Sequence, residues 1–201
     1  MKRLIIICEG ETEVEFCRKI LYPYFLEKQI TVLSRNITGI KKWRSLKRLI
    51  EHTLKSEKSA FLTTLIDYYG LPSDYPNFRT NDVAEIENGM KEEIDNHRFI
   101  PYIQLHEFEG LIFNNIAVFY NVFSEKDLVG KDELTSIFQE FPNPEMINNS
   151  VENAPSKRLK RIIPRYDKVV SGNNLAEKIG LQNIRNKCPR FNAWIEKIEK
   201  I

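Results

Sequence analysis

The chain has 201 residues, of which 42% are hydrophobic and 29% are charged, and its formal net charge is +2. This length suffices for one domain with a substantial core, while a total charge so close to zero identifies no partner. The three cysteines form no CxxC pair, which argues against a disulfide framework or a zinc knuckle, and no apolar run reaches the roughly 20 residues of a membrane span. We expect a cytoplasmic protein that does not enter membranes.

The first half of the sequence alternates between short apolar runs, which predict strands, and longer segments with helical periodicity. Pro23 predicts a kink in the first helix, and Pro101 predicts an edge position or a bulge for the last strand. A loop dense in Pro, Asp, Ser and Asn occupies 71–82. The predicted elements are strand 3–8, helix 12–27, strand 31–37, helix 42–57, strand 60–67, helix 83–97 and strand 99–105.

This alternation, with nearly continuous apolar strands, predicts an α/β fold with a doubly wound, mostly parallel, four-stranded sheet. From about residue 110 the pattern changes to helical segments interrupted by prolines and glycines. We therefore divide the chain into an α/β core, 1–110, and a helical extension, 111–201, packed on the core within a single domain.

Acidic side chains follow three of the four predicted strands. Glu9 comes after the first strand, Asp67 ends the third, and His106 with Glu107 and Glu109 follows the fourth. Ligand sites of open parallel sheets lie beyond the carboxyl ends of the strands, so these acids should meet at one edge. Clustered carboxylates resist ionisation unless a cation lies among them, and oxygen ligands favour Mg²⁺ or Mn²⁺. The sequence therefore predicts a divalent metal site.

Several of these acids also have a structural interpretation. Thr12 and Glu15 have the T-x-x-E spacing of a capping box at the start of the first helix. Glu13 falls in the first helical turn, where any acid complements the helix dipole, so it can be structural or functional. Asp67 could begin a turn, and His106 is either a metal ligand or a residue that orients one.

The basic residues are concentrated in two tracts. Five Lys and Arg surround Trp43 within 41–48, and ten more lie within 155–190. A basic run can be a solvated helix face, but beside an acidic metal site it suits a polyanionic substrate. Trp43 and Tyr166 either pack internally or stack on bases. The predicted nucleic-acid contacts are Lys41, Lys42, Arg44, Lys160, Arg161 and Arg165.

Five segments resemble the DUF4276 group of the Toprim family. They span nearly the whole chain: CEGETEVEF (8–16), IDYYGLP (66–72), IQLHEFEGLIF (103–113), PSKR (155–158) and GLQNIRNKCPRFNAW (180–194). The resemblance implies a Toprim-like fold, which is shared by topoisomerases, primases and OLD-type nucleases. It also implies a metal-dependent activity on nucleic acid.

The resemblance assigns roles to individual residues. Glu9 matches the glutamate that follows the first Toprim strand, and Glu13 matches a second glutamate that OLD-type nucleases carry one turn later. Asp67 matches the first aspartate of the Toprim DxD motif, whereas Tyr69 replaces the second. Glu109, or as second choice Glu107, could supply the metal-binding carboxylate oxygen that the second aspartate would otherwise provide. Lys157 or Arg158 corresponds, by position, to a basic residue of OLD-like enzymes.

These observations support one main hypothesis about function. The protein is a Mg²⁺- or Mn²⁺-dependent phosphodiesterase acting on DNA or RNA, and the resemblance implies an effector role beside an ABC-type ATPase in phage defence. The alternative is a non-catalytic Toprim-like subunit that docks such an ATPase. In that case the replacement of the second DxD aspartate by Tyr69 reflects the loss of catalytic activity. Nucleotidyl transfer, as in primases, is a third reading. The oligomeric state and the choice between DNA and RNA stay open.

Overall fold

The structure, a computed structural model, describes residues 1–39, 42–147 and 151–201 and contains two compact units. The first unit comprises Met1–Gln104 together with Trp194–Ile201, and the second comprises Leu105–Ala193. The boundary that the sequence suggested after residue 110 thus lies inside the second unit. The last eight residues, assigned above to the helical extension, belong to the unit that contains the sheet.

The first unit is built on a parallel sheet. Its strands are β1 (Lys2–Cys8), β2 (Ile30–Asn36), β3 (Ala60–Asp67), β4 (Phe99–Ile100) and β5 (Ile103–Gln104). They lie in the order β2-β1-β3-β4, with β5 also paired to β3, and every pair is parallel. The predicted α/β fold with a parallel sheet is confirmed. The apolar sequence of β1 fits its central place, where its last five residues are completely buried.

The predicted fourth strand, 99–105, consists of two short strands on either side of Pro101 and Tyr102. Proline has no N–H with which to continue a ladder, so the neighbouring backbone groups need other partners. The Thr63 hydroxyl donates to the carbonyl of Ile100 over 2.5 Å. The Thr64 hydroxyl donates to the Tyr102 carbonyl and accepts its N–H, at 2.8 and 2.9 Å. Two threonine side chains thus bridge the gap, and the predicted edge position of this segment is confirmed.

The C-terminal residues complete the core of the first unit. The ring of Trp194 stacks on that of Tyr102 with centroids 4.5 Å apart, and its indole N–H donates to Thr63 Oγ1 over 2.8 Å. All three residues are buried, so the indole gains both apolar burial and a hydrogen-bond partner.

The first predicted helix, 12–27, has an irregular middle. It consists of α1 (Glu11–Phe16), a π-helical segment (Cys17–Leu21) and α2 (Tyr22–Glu27). Pro23 lies in the first turn of α2, a position where proline is tolerated. The irregularity is thus the π-helical segment just before the proline. The other helical segments of the unit are α3 (Trp43–Ser56), the short 3₁₀ helix Phe78–Thr80 and α4 (Val83–Ile94).

The capping box predicted for Thr12 and Glu15 is wrong. Gly10 is the N-cap of α1, and the carboxylate of Glu13 accepts its backbone N–H over 2.8 Å. The helix therefore begins two residues earlier than the T-x-x-E pattern implies, and the acid at the third helical position is Glu13. Glu15 instead forms an exposed ion pair with Arg18.

The second unit is mainly helical in its described residues. A buried carboxylate organises one of its helices: Glu145 accepts the backbone N–H groups of Arg190 and Phe191, each over 2.9 Å. These are unpaired donors in the first turn of a helix, which Glu145 thereby caps from a distant segment. The helices are α5 (Ile116–Val122), α6 (Lys131–Glu140), α7 (Pro155–Ile162), α8 (Asn173–Ile179), α9 (Leu181–Lys187) and the start of α10 (Pro189–Glu199), whose residues from Trp194 onward belong to the first unit. The unit also contains 3₁₀ segments Phe108–Ile112, Pro144–Met146 and Val151–Asn153 and a π-helical segment Lys168–Gly172.

None of the helices in the described ranges has both the length and the apolar character needed to cross a membrane.

Candidate functional site

A recess lies at the carboxyl ends of β1 and β3 in the first unit. Glu9 and Asp67 contribute its carboxylates, and the rest of its wall is largely apolar. The parallel register aligns Cys8 with Leu65, so the residues that follow β1 come out beside the end of β3. The remaining residues that line the recess are Ile37, Ile66, Gly70, Leu71, Pro72 and Tyr75.

Glu9 and Asp67 are held together by the backbone. The N–H of Glu9 donates to the carbonyl of Leu65 over 3.2 Å, which extends the ladder by one residue past β1. The carboxylate of Glu9 in turn accepts the backbone N–H of Asp67 over 3.0 Å. Both side chains are partly exposed. The sequence prediction that Glu9 and Asp67 meet at one edge of the sheet agrees with this arrangement.

Tyr75 forms the aromatic wall of the recess. Its side chain is buried, and burial raises the pKa of the phenol, with a further contribution from the negative charge of Glu9. Tyr75 therefore keeps its proton at neutral pH. Its ring packs against that of Trp43, with centroids 5.4 Å apart, and the Trp43 indole N–H donates to Glu93. Trp43 is accordingly a packing residue, one of the two readings that its sequence left open.

The other predicted residues of this edge have different surroundings. Glu13 is buried and caps α1 through Gly10, so its carboxylate already has a structural task; its predicted role as a metal ligand stays a prediction. Tyr69 is half-buried in the turn that follows β3 and does not line the recess.

In the second unit, the buried carboxylate of Glu107 caps a helix. One oxygen accepts the backbone N–H of Ser156 over 2.8 Å, and the other accepts the Ser156 hydroxyl over 3.0 Å. Ser156 is the second residue of α7, where backbone donors have no partner within the helix. Both oxygens of Glu107 are thus engaged in holding the start of α7.

Glu109 and Lys168 form an ion pair across the second unit. The carboxylate of Glu109 is only 1% exposed, and its Oε1 lies 2.9 Å from Lys168 Nζ. Burial raises the pKa of Glu109, and the neighbouring ammonium opposes that shift. Tyr166 is also buried, which raises its pKa, with the charge of Glu109 as the next cause. Its hydroxyl has no hydrogen-bond partner within the described ranges.

His106 has a backbone conformation that few non-glycine residues adopt. Its φ is +66°, in the left-handed region, and it directly precedes Glu107. The imidazole is half-buried, and burial lowers its pKa. This conformation sets the direction of the chain as it enters the segment that carries both glutamates.

The predicted basic residues of the second unit fall into two groups. Lys157, Lys160 and Arg165 are exposed. Arg158 is buried: its Nε donates to the Asn153 carbonyl, and its guanidinium lies over the ring of Phe141. Arg161 forms an ion pair with Glu133. The structure thus gives Arg158 internal packing contacts, which account for it without a substrate.

In the first unit, Lys42 and Arg44 are exposed at the start of α3. Lys41 lies outside the described residues.

The acids of the recess suit a hard divalent cation. Mg²⁺ is usually bound by one or two carboxylates and keeps several waters, and Glu9 with Asp67 supplies two carboxylates to one partly open recess. Within the described ranges, no three His, Cys, Asp or Glu side chains converge into a complete metal site. The residues present therefore fit a cation that draws its other ligands from solvent or substrate.

Sequence reasoning did not single out Lys168, which pairs with Glu109, or Tyr75, which lines the recess. Lys168 was counted within the second basic tract, but nothing in its spacing distinguishes it from the other cations there. Tyr75 lies in a loop whose composition predicts only turns. Only the pairing with Glu109 and the packing beside Glu9 identify them.

Comparisons with known proteins bear on this fold. The model of a family described as "Domain of unknown function (DUF4276)" matches residues 8–199. The C-terminal region of the Burkholderia pseudomallei OLD protein superimposes with a TM-score of 0.50 and 16% identity, over 96% of this chain and 99% of that one. The corresponding region from Xanthomonas campestris pv. campestris gives 0.47 and 16%, over 98% of both chains. A comparison with curated proteins found no significant match.

Proposed function

This chain belongs to the DUF4276 family, and from the recess at the end of its sheet we propose that it is a divalent-metal-dependent phosphodiesterase acting on nucleic acid. The single observation that supports this proposal most is the pairing of Glu9 with Asp67 at the ends of two adjacent parallel strands. That position is where open α/β sheets bind ligands. The likeness of the fold to the C-terminal region of an OLD protein is consistent with the proposal.

Glu9 and Asp67 would hold Mg²⁺ or Mn²⁺ in the recess. When bound, such an ion neutralises the charge of a phosphodiester and lowers the pKa of a coordinated water. The carboxylate of Glu9 also accepts the backbone N–H of Asp67, and this hydrogen bond holds the two residues beside each other. The protonated Tyr75 presents a hydrogen-bond donor and an apolar ring on the wall, which limits access of bulk water.

We further propose that the ion pair of Glu109 and Lys168 in the second unit contributes to activity. A carboxylate that is 1% exposed is costly to bury, and the protein stabilises it with one lysine whose side chain is 44% exposed. The lysine side chain is thus partly open to solvent. Lys168, like the exposed Lys157 of the same unit, could therefore contact a phosphate of the substrate, whereas Arg158 is buried.

The partner and the setting are also proposals. We infer a cytoplasmic protein that works with an ABC-type ATPase in phage defence, as the resemblance of its motifs implies. The alternative function, a non-catalytic subunit that docks such an ATPase, is favoured by one observation: Tyr69 occupies the place of the second aspartate of a DxD motif.

Cleavage assays on the purified protein test these functions. Single-stranded DNA, duplex DNA and structured RNA are each incubated with Mg²⁺, with Mn²⁺ or with chelator, with and without the candidate ATPase and ATP. The proposal predicts metal-dependent cleavage of at least one substrate. It also predicts that Tyr69→Phe retains the activity, because Tyr69 does not line the recess.

The substitutions Glu109→Gln and Lys168→Ala should each reduce cleavage. Full activity in both variants would remove Glu109 and Lys168 from the mechanism. Absence of cleavage under every condition, with the ATPase present, would favour the docking subunit.

A further inference from the structure

One helix of the first unit carries an unusual excess of cations on its exposed side. In α3, the exposed residues Arg44, Arg48, Glu51 and Lys55 follow one another at spacings of four, three and four. At 3.6 residues per turn these spacings place all four on one narrow stripe of the helix. Three of the four positions are positively charged.

The acids near this stripe are already engaged. Glu57, which follows α3, lies 2.9 Å from Arg3 and 3.7 Å from Arg35. Glu93 lies 3.0 Å from Lys47 and also accepts the Trp43 indole N–H. Within the described ranges no ion pair involves Arg44, Arg48 or Lys55. Their charges are therefore directed to solvent or to a ligand.

The basic stripe begins beside the recess. Trp43, the first residue of α3, packs against Tyr75, and Tyr75 lines the recess together with Glu9 and Asp67. Arg44 is the next residue, and Lys42 precedes the helix. The positive end of the helix dipole adds to these charges at the same place. The stripe extends from Arg44 to Lys55, which is about 16 Å along the axis, or roughly the rise of five base pairs of duplex.

The second basic tract contrasts with this stripe. Several of its cations are occupied by internal contacts: Arg161 pairs with Glu133, Lys168 with Glu109, and Lys187 donates to the Asn114 carbonyl. The excess of basic residues in 155–190 thus overstates the charge available to a ligand. The exposed cations that remain in the tract are spread over α7, α8 and the segment between them, whereas those of the stripe share one face of α3.

We propose that the stripe formed by Arg44, Arg48 and Lys55, with Lys42 at its start, binds the sugar–phosphate backbone of the nucleic acid and leads it to the recess. This inference rests on the proposed function and adds to it the path of the substrate. Arg48 and Lys55 are new contacts, in addition to those predicted from the sequence. Contacts of this kind position the strand and carry no sequence information. Binding along α3 should therefore be insensitive to base sequence.

The test is binding of fluorescein-labelled single-stranded DNA, duplex DNA and an RNA hairpin, measured by anisotropy over a range of salt concentrations in chelator. Without metal there is no metal-dependent cleavage, so the result does not depend on activity. The variant combines Arg44→Gln, Arg48→Gln and Lys55→Gln. The matched control combines Lys126→Gln, Lys197→Gln and Lys200→Gln, which removes the same charge from exposed positions elsewhere.

The stripe variant should bind roughly tenfold more weakly or worse, and its salt slope should fall by about two to three, since each lost phosphate contact contributes 0.7 to 0.9. The control should keep the wild-type slope. Glu51→Gln should bind more tightly, because it removes the one repulsive charge of the stripe. Equal slopes for the stripe variant and wild type, or wild type that binds none of the probes, would overturn the inference. An inactive protein that still binds along α3 would contradict the proposed function alone.

Discussion

The acids of the two units have different surroundings. In the first unit, Glu9 and Asp67 are partly exposed and line a recess where two strands end. In the second unit, Glu107, Glu109 and Glu145 are buried, and each lies against a protein donor or cation. A buried carboxylate held by protein donors or a lysine has most of its interactions satisfied within the fold, whereas a partly exposed one at a strand end can also bind a ligand.

Substitutions in the recess should have the largest effect on activity. Glu9→Gln or Asp67→Asn removes an ionised ligand at constant size, so we expect cleavage to fall by about 4 kcal/mol of transition-state stabilisation, roughly a thousandfold. The control is Glu11→Gln, an exposed acid two residues from Glu9. Single-turnover cleavage rates measure the difference. Equal losses in all three variants would mean that general negative charge, and not the recess, is what matters.

Glu107 should matter to stability more than any other buried acid of the second unit. Glu107→Ala deletes both acceptors for Ser156 and leaves the start of α7 uncapped. We expect a loss of about 2 to 3 kcal/mol in the free energy of unfolding. Urea titration followed by circular dichroism measures it. A variant as stable as wild type would show that Glu107 is not a structural cap.

The pair of Glu109 and Lys168 should show a smaller effect on stability. Lys168→Ala leaves a buried carboxylate without its cation, but the lysine is 44% exposed, so water replaces part of the lost interaction. We expect a loss of about 1 to 2 kcal/mol. The double variant Lys168→Ala/Glu109→Gln should recover part of it, since it removes the stranded charge. A double variant less stable than Lys168→Ala would contradict this explanation.

The smallest effect concerns the pH dependence that Glu145 contributes. Burial raises the pKa of Glu145 above its unfolded value of about 4.3, despite two backbone N–H donors. A raised carboxyl pKa gives stability that is complete below the unfolded value and is lost as pH rises through the folded value. The stability of wild type relative to Glu145→Gln should therefore decline as pH rises from about 4. A relative stability that increases with pH would refute the assignment.

Local sequence patterns predicted the sheet well and its last strand poorly. The bounds of β3 match the apolar run 60–67, because a central parallel strand is apolar throughout. At 99–105 the proline was recognised, but the bridging hydroxyls of Thr63 and Thr64 come from a strand about 40 residues earlier, which no local pattern reveals. The capping box failed for a similar reason, because glycine as an N-cap leaves no side-chain signature.

For the candidate site, the sequence identified residue types but not their partners. Glu9 and Asp67 were predicted together because strand ends of a parallel sheet coincide. The roles of Glu107 and Arg158 could not be predicted, since a cap from Glu107 to Ser156 depends on a fold with contacts 49 residues apart. The pairing of Lys168 with Glu109 could not be predicted for the same reason, because only the folded chain brings the two residues together.

The most direct test of the central claim, that Glu9 and Asp67 bind a divalent cation, is a Mn²⁺ titration of thermal unfolding. A ligand that binds only the folded state stabilises it by mass action, by about 2.7 kcal/mol at a hundredfold excess over the dissociation constant. Wild type and Glu11→Gln should show this stabilisation, while Glu9→Gln and Asp67→Asn should remain folded and lose it. A wild type that does not respond to Mn²⁺ or Mg²⁺, or a Glu9→Gln/Asp67→Asn double variant that responds like wild type, would contradict the claim.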